Sequence, residues 1–127
     1  MTVASPPRRW SRVAGYAMMA AAGIGAAAYP TPSVQEATGH LVYLWAGFLV
    51  VGGLLAAAGA ATDRWIGEHI GLPLLWAAHG VYAVVLASSL APASVVASLA
   101  LGGFALVLYG RWRDVGTVRL EATRQAE

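Results

Sequence analysis

Four apolar runs alternate with short polar segments along this chain. The runs cover residues 13–29, 40–61, 72–89 and 93–109, and none of them contains Asp, Glu, Lys or Arg. Each run has 17 to 22 residues, and a membrane-spanning helix needs about 17–25. The runs also lack the polar stripe at helical spacing that a helix of a soluble bundle carries. The pattern therefore predicts an all-α integral membrane bundle of four transmembrane helices.

The polar segments between the runs are short. A polar N-terminal segment, 1–12, precedes a transmembrane domain that spans 13–109, and a basic tail, 110–127, closes the chain. Connections of three to ten residues leave no room for a soluble domain, so successive helices are predicted to be antiparallel neighbours. Pro73 then falls in the first turn of the third helix, where proline is tolerated.

The first run also allows a second interpretation. Arg8 and Arg9, the Ala- and Gly-rich stretch that follows, and the triplet Ala26-Ala27-Ala28 are similar to a secretory signal peptide. Cleavage after Ala28 would leave three spans and place the new N-terminus outside. Retention of the segment gives four spans, which is the topology expected here.

Arginine is the only strongly basic residue type in the chain. The eight arginines are Arg8, Arg9, Arg12, Arg64, Arg111, Arg113, Arg119 and Arg124. The first and third connections contain none of them. Because positive residues stay on the cytoplasmic side of a membrane, this distribution predicts that both termini are cytoplasmic. The expected location is the cytoplasmic (inner) membrane, which the chain crosses several times.

Three Arg-Trp pairs fall at the predicted cytoplasmic ends of the helices. They are Arg9-Trp10, Arg64-Trp65 and Arg111-Trp112. Tryptophan prefers the headgroup level of a bilayer, and arginine can extend to the lipid phosphates. We therefore expect these six residues to anchor the protein at the interface, with the lipid bilayer as the partner.

Composition excludes several functional classes. Apolar residues make up 58% of the chain and charged residues 11%, against about 25% charged residues in an ordinary soluble domain. The net charge is only +2, so no nucleic-acid partner is expected. With no cysteine, thiolate metal sites and disulfides are excluded. The sequence contains no poised carboxylate pair, activated serine or phosphate-binding loop, so we expect no enzyme, cofactor or metal site.

His79 is the polar residue of greatest interest because it lies near the middle of the third run. An ionisable group at that depth could relay protons or line a pore. The simpler interpretation is a neutral histidine that bonds a neighbouring helix and shares its face with Trp76, Gly80 and Ala83. His69 lies near a predicted helix end, where a surface position is expected.

The second connection, 62–71, is the densest polar segment. Arg64 and Glu68 would pair at i,i+4 spacing if the segment were helical. Asp63, Glu68 and His69 match no known metal-binding signature. The segment is therefore predicted to be a re-entry turn at the membrane interface.

Small residues recur at helical spacing in three of the runs. They are Ala17, Ala21 and Gly25 in the first run, Gly52 and Gly59 in the second, and Ser94, Ser98 and Gly102 in the fourth. Such stripes let helices approach closely, and Ser94 and Ser98 can also donate hydrogen bonds. These faces are predicted either to pack the monomer or to build an oligomer.

The layout resembles the holin-like small membrane proteins of actinobacterial phages. The resemblance rests on four short spans, arginine-only cytoplasmic charge, small-residue helices and the basic tail from Arg111 to Arg124. It implies homo-oligomers that permeabilise the cytoplasmic membrane during host cell lysis. One alternative is a non-catalytic accessory subunit that braces a larger membrane complex through a partner membrane protein. A third hypothesis is a small channel or transporter that depends on His79.

Overall fold

The computed structural model describes residues 8–30, 32–88 and 92–125, and all its regular structure is helical. The all-α prediction is thus confirmed for these residues. Four long helices and one short helix follow one another along the chain. They are α1 (Arg8–Ala28), α2 (Pro32–Thr38), α3 (Leu41–Ala61), α4 (Trp65–Ser88) and α5 (Pro92–Gln125).

The long helices pack in chain order. The extensive contacts join α1 to α3, α3 to α4, and α4 to α5, and the short helix α2 touches α3. The two long helices in each of these pairs run in opposite directions. For example, Gly52 adjoins Gly71, whereas Gly59 adjoins Gly67. A common core of buried side chains from all four long helices includes Tyr16, Leu72, Leu75 and Leu108.

Among the described residues, three helices are long and apolar enough to cross a membrane. They are α3, α4 and the part of α5 from Pro92 to Thr117. Helix α1 has a comparable length of 21 residues but is built largely from Ala and Gly, which are only weakly apolar. The chain is therefore a multi-pass membrane protein by the length and composition of its helices.

The second connection is much shorter than the sequence pattern predicts. Only Thr62, Asp63 and Arg64 separate α3 from α4, so the predicted re-entry turn over 62–71 is wrong. The Thr62 hydroxyl donates to the Ala58 carbonyl at 2.7 Å, and the Arg64 N–H donates to the Gly59 carbonyl at 2.9 Å. Asp63 takes a φ of 53°, a left-handed conformation that Asp tolerates better than most residues. This compact helix end lets α4 begin at Trp65.

Two further helices extend beyond the predicted spans. Helix α5 continues without a break to Gln125, so the segment predicted as a tail at 110–127 is helical where it is described. Helix α1 starts at Arg8, so residues 8–12 of the segment predicted as a polar N-terminal one, 1–12, are helical. Pro73 lies well inside α4 rather than in its first turn. It therefore offers no N–H to the carbonyl of His69.

Candidate functional site

Glu68 in the first turns of α4 is the one buried charged residue among those described. Its side chain is 7% exposed. The Arg12 Nη1 of α1 donates to Glu68 Oε1 at 3.2 Å and to Oε2 at 3.1 Å. The Arg111 Nη2 of α5 donates to Oε2 at 3.2 Å, and the Tyr16 hydroxyl donates to Oε1 at 3.0 Å. One carboxylate of α4 thus binds side chains from two other helices, α1 and α5.

Close helix approach places the Glu68 carboxylate at this junction. A Cβ added to Gly59 of α3 would lie 2.5 Å from the Glu68 backbone nitrogen, and one added to Gly67 would lie 2.7 Å from the Gly59 Cα. Only glycine fits at so short a distance. The last turn of α3 and the first turns of α4 therefore contact backbone to backbone, which buries Glu68.

A second glycine contact positions α1. A Cβ added to Gly53 of α3 would lie 2.7 Å from the Tyr16 carbonyl oxygen and 2.9 Å from the Ala20 Cβ. Tyr16 and Ala20 are both buried. Because α1 is held this close to α3, the Arg12 and Tyr16 side chains extend across to Glu68 on α4.

The Glu68 cluster carries an excess of positive charge. Two guanidinium groups share one carboxylate, and the Arg12 and Arg111 side chains remain 34% and 36% exposed. Partial exposure keeps these cations partly hydrated, while burial strengthens their attraction to Glu68. The predicted i,i+4 pair with Arg64 is wrong: the partners of Glu68 in the described part of the chain come from α1 and α5.

The six expected interfacial anchors have different environments. Trp10, Trp65 and Arg64 are exposed. Arg111 binds Glu68, and Trp112 packs against the core. The Arg9 side chain lies outside the described residues. Arg111 and Trp112 thus have contacts within the chain that the sequence pattern does not predict.

His69 is not a surface residue. Its ring stacks on Trp112 with centroids 5.6 Å apart and meets the edge of Trp65 at 5.7 Å. The His69 Nδ1, the Trp112 Nε1 and the Arg111 Nε are buried and have no hydrogen-bond partner among the described residues. Arg111 of the Glu68 cluster and the sequence neighbours of Glu68 and Arg111, His69 and Trp112, thus each have one nitrogen without a partner among the described residues.

His79 bonds its own helix rather than a neighbouring one. Its Nδ1 lies 2.7 Å from the Leu75 carbonyl oxygen, one turn earlier in α4. The ring contacts Phe104 of α5, with centroids 5.2 Å apart. The expected bond from His79 to a neighbouring helix is therefore replaced by an intrahelical bond and an aromatic contact.

The predicted small-residue faces differ in what they contact. Gly52 and Gly59 are buried against α4. The Ser98 hydroxyl donates to the Ala83 carbonyl of α4 at 2.7 Å, and Ser94 is half-buried. A Cβ added to Gly102 would meet nothing within 4 Å.

The predicted face of α1 points away from the packed side of that helix. Ala17, Ala21 and Gly25 are all exposed, and the space around Gly25 is open. The side of α1 that packs on α3 carries Ala20 and Gly23 instead. This side also brings Tyr16 and Arg12 to Glu68.

The arrangement defines a polar junction at one end of a multi-pass helical membrane protein. Both Glu68 oxygens are occupied by donors, so the cluster joins helices rather than offering a free base. No group of three metal-ligating side chains occurs in the described part of the chain. The chain matches no known family model, and neither a curated protein nor a solved structure is detectably similar to it.

Proposed function

We propose that this protein crosses the cytoplasmic membrane with four antiparallel helices, keeps both termini in the cytoplasm, and associates into oligomers that permeabilise the membrane, as holins do. Helix α1 is the fourth span in this proposal. The arginines of α1, of the α3–α4 turn and of α5 then share the cytoplasmic side, where positive residues are retained. The shared contacts of Arg12 and Arg111 with Glu68 support this grouping.

The oligomer proposal rests on the exposed small-residue face of α1, which is formed by Ala17, Ala21 and Gly25. Lipid chains gain little van der Waals energy from contact with such a face, whereas a second helix can approach it closely. Helix α1 is also the one long described helix that is not apolar enough to count among the candidate spans. A neighbouring copy is therefore a better environment for this face than lipid.

The test is induced expression in a bacterial host while membrane potential and culture density are followed. A sudden loss of potential after a delay, advanced by an energy poison, supports permeabilisation. Steady growth with an intact potential, despite confirmed insertion, contradicts it. The accessory-subunit hypothesis then becomes the leading one, and its test is the capture of a partner membrane protein.

A matched pair of variants tests the face itself. Ala21→Leu places a bulky side chain in the middle of the small-residue face, whereas Ala22→Leu makes the same change at an exposed position beside it. We expect Ala21→Leu to abolish the loss of potential and Ala22→Leu to leave it unchanged. Equal behaviour of the two variants contradicts oligomerisation through α1.

A further inference from the structure

A pocket adjoins the Glu68 cluster at the arginine-rich end of the helices. Its volume is about 170 Å³, roughly the share of five or six water molecules in the liquid. Arg12 and Arg111 line it, together with Glu68, Asp63 and Trp65. The pocket thus contains two guanidinium groups from different helices, which Glu68 holds in fixed positions.

One arginine of this pocket has a buried donor with no acceptor among the described residues. The Arg111 Nε is buried without a hydrogen-bond partner among the described residues, as is the Trp112 Nε1 next to it in sequence. Buried N–H groups in proteins are almost always paired, either within the protein or with a bound molecule. Arginine presents its N–H groups as a planar fork that matches the oxygens of a phosphate. A group rich in acceptor oxygens therefore suits the guanidinium groups of this pocket.

The charged side chains of the pocket balance one another. The two guanidinium groups exceed the Glu68 carboxylate by one positive charge, but Asp63 adds a negative charge to the lining. The charges of the lining thus sum to zero, so the two guanidinium groups would select a phosphate by their geometry and not by net charge. The Trp65 side chain forms part of the pocket wall. Tryptophan side chains are amphipathic and prefer the headgroup level of a bilayer.

We infer that this pocket binds the phosphodiester group of one membrane phospholipid, through Arg12 and Arg111. The inference rests on the membrane insertion of the protein and not on oligomerisation or permeabilisation. It differs from general anchoring because it assigns binding to two arginines held by a buried carboxylate. The exposed Arg113, two residues further along α5, does not line the pocket.

The test is native mass spectrometry of the full chain in detergent with added lipids. Phosphatidylglycerol is compared with a diacylglycerol of the same acyl chains, which lacks the phosphate. We expect one phosphatidylglycerol per chain and much weaker binding of diacylglycerol. Equal binding of the two lipids to the unaltered protein overturns the inference without the need for any variant.

Two variants with the same chemical change locate the site. Arg111→Gln is expected to weaken phosphatidylglycerol binding about tenfold, the cost of losing a charge-assisted hydrogen bond. Arg113→Gln serves as the control and is expected to leave binding unchanged. Equal loss in both variants contradicts a specific pocket and indicates general attraction to anionic lipid.

A third variant avoids the Glu68 cluster. Asp63→Asn removes the opposing charge, and Asn accepts the left-handed conformation of this position as readily as Asp does. It should tighten phosphatidylglycerol binding roughly two- to fivefold, as expected for a partly exposed charge. Unchanged or weaker binding contradicts the charge argument.

Glycerol 3-phosphate distinguishes a lipid from a soluble ligand. Failure of this compound to displace the lipid supports the phospholipid assignment. Displacement by it at millimolar concentration, with the same dependence on Arg111, would assign the pocket to a soluble phosphate ester and overturn the lipid assignment. Neither result depends on whether the protein permeabilises membranes.

Discussion

Replacement of Glu68 tests whether one carboxylate holds α1, α4 and α5 together. Glu68→Gln keeps the size of the side chain but removes its charge and leaves a single oxygen for three donor groups. Breaking a fully buried ion pair costs about 3–5 kcal/mol. Because the arginine side chains are about one-third exposed, they recover part of their hydration. We therefore expect a loss of about 2–4 kcal/mol in the free energy of unfolding.

Double-mutant cycles separate the contributions of the two arginines. Arg12 makes two hydrogen bonds to Glu68, and Arg111 makes one. The coupling energy between Glu68→Gln and Arg12→Gln should be about 1–2 kcal/mol, with roughly half that value for Arg111→Gln. The ranking follows from the number of bonds, because both arginines are exposed to a similar extent.

The assay is reversible unfolding in mixed micelles, followed by the fluorescence of the five tryptophans. Glu36→Gln on the short helix α2 is the control, since Glu36 is exposed. It should change the unfolding free energy by less than about 0.5 kcal/mol. Coupling energies below about 0.5 kcal/mol for both arginines would refute the argument that Glu68 joins the helices.

Three further predictions concern helix contacts and His79. Gly59→Ala should destabilise the protein by about 1–3 kcal/mol, because its Cβ would lie 2.5 Å from the Glu68 nitrogen. Gly102→Ala, in open space, should be neutral or stabilising, and unfolding in micelles compares the two. Ser98→Ala should cost about 0.6 kcal/mol, the usual value for an interhelical hydrogen bond in a membrane, and a value near zero would contradict the bond to Ala83. His79→Ala should leave any loss of membrane potential intact, whereas its disappearance would favour the channel hypothesis.

The helices themselves could be predicted from the sequence because their signal is local. The apolar run at 40–61 corresponds to helix α3, Leu41–Ala61. In the structure this helix lies between Gly39, which has a φ of 55°, and the Thr62–Arg64 turn. Hydropathy does not reveal where α4 begins, because the polar residues Glu68 and His69 lie inside the helix and make its first turns look like a loop.

The Glu68 cluster could not be predicted because its members are 43 to 56 residues apart in sequence. Only the packing of α1 and α5 brings them together. One signal was present: Gly67 and Gly71 have the four-residue spacing typical of close helix contacts. This spacing has no such meaning in a loop, and the polar pattern predicts a loop over 62–71. The face formed by Ala17, Ala21 and Gly25 shows a related difficulty, since a helix rich in small residues offers several equivalent faces and only tertiary contacts select one.

The order of synthesis gives the shared carboxylate a further consequence. Helices α3 and α4 are joined by three residues, so they can form a hairpin as soon as both have left the ribosome. Arg12 is made before Glu68, but Arg111 follows it by 43 residues. A nascent chain that has not reached α5 therefore pairs Glu68 with Arg12 and Tyr16 alone, and the second arginine arrives only with α5. The charge network around Glu68 is therefore complete only once this part of α5 has been made.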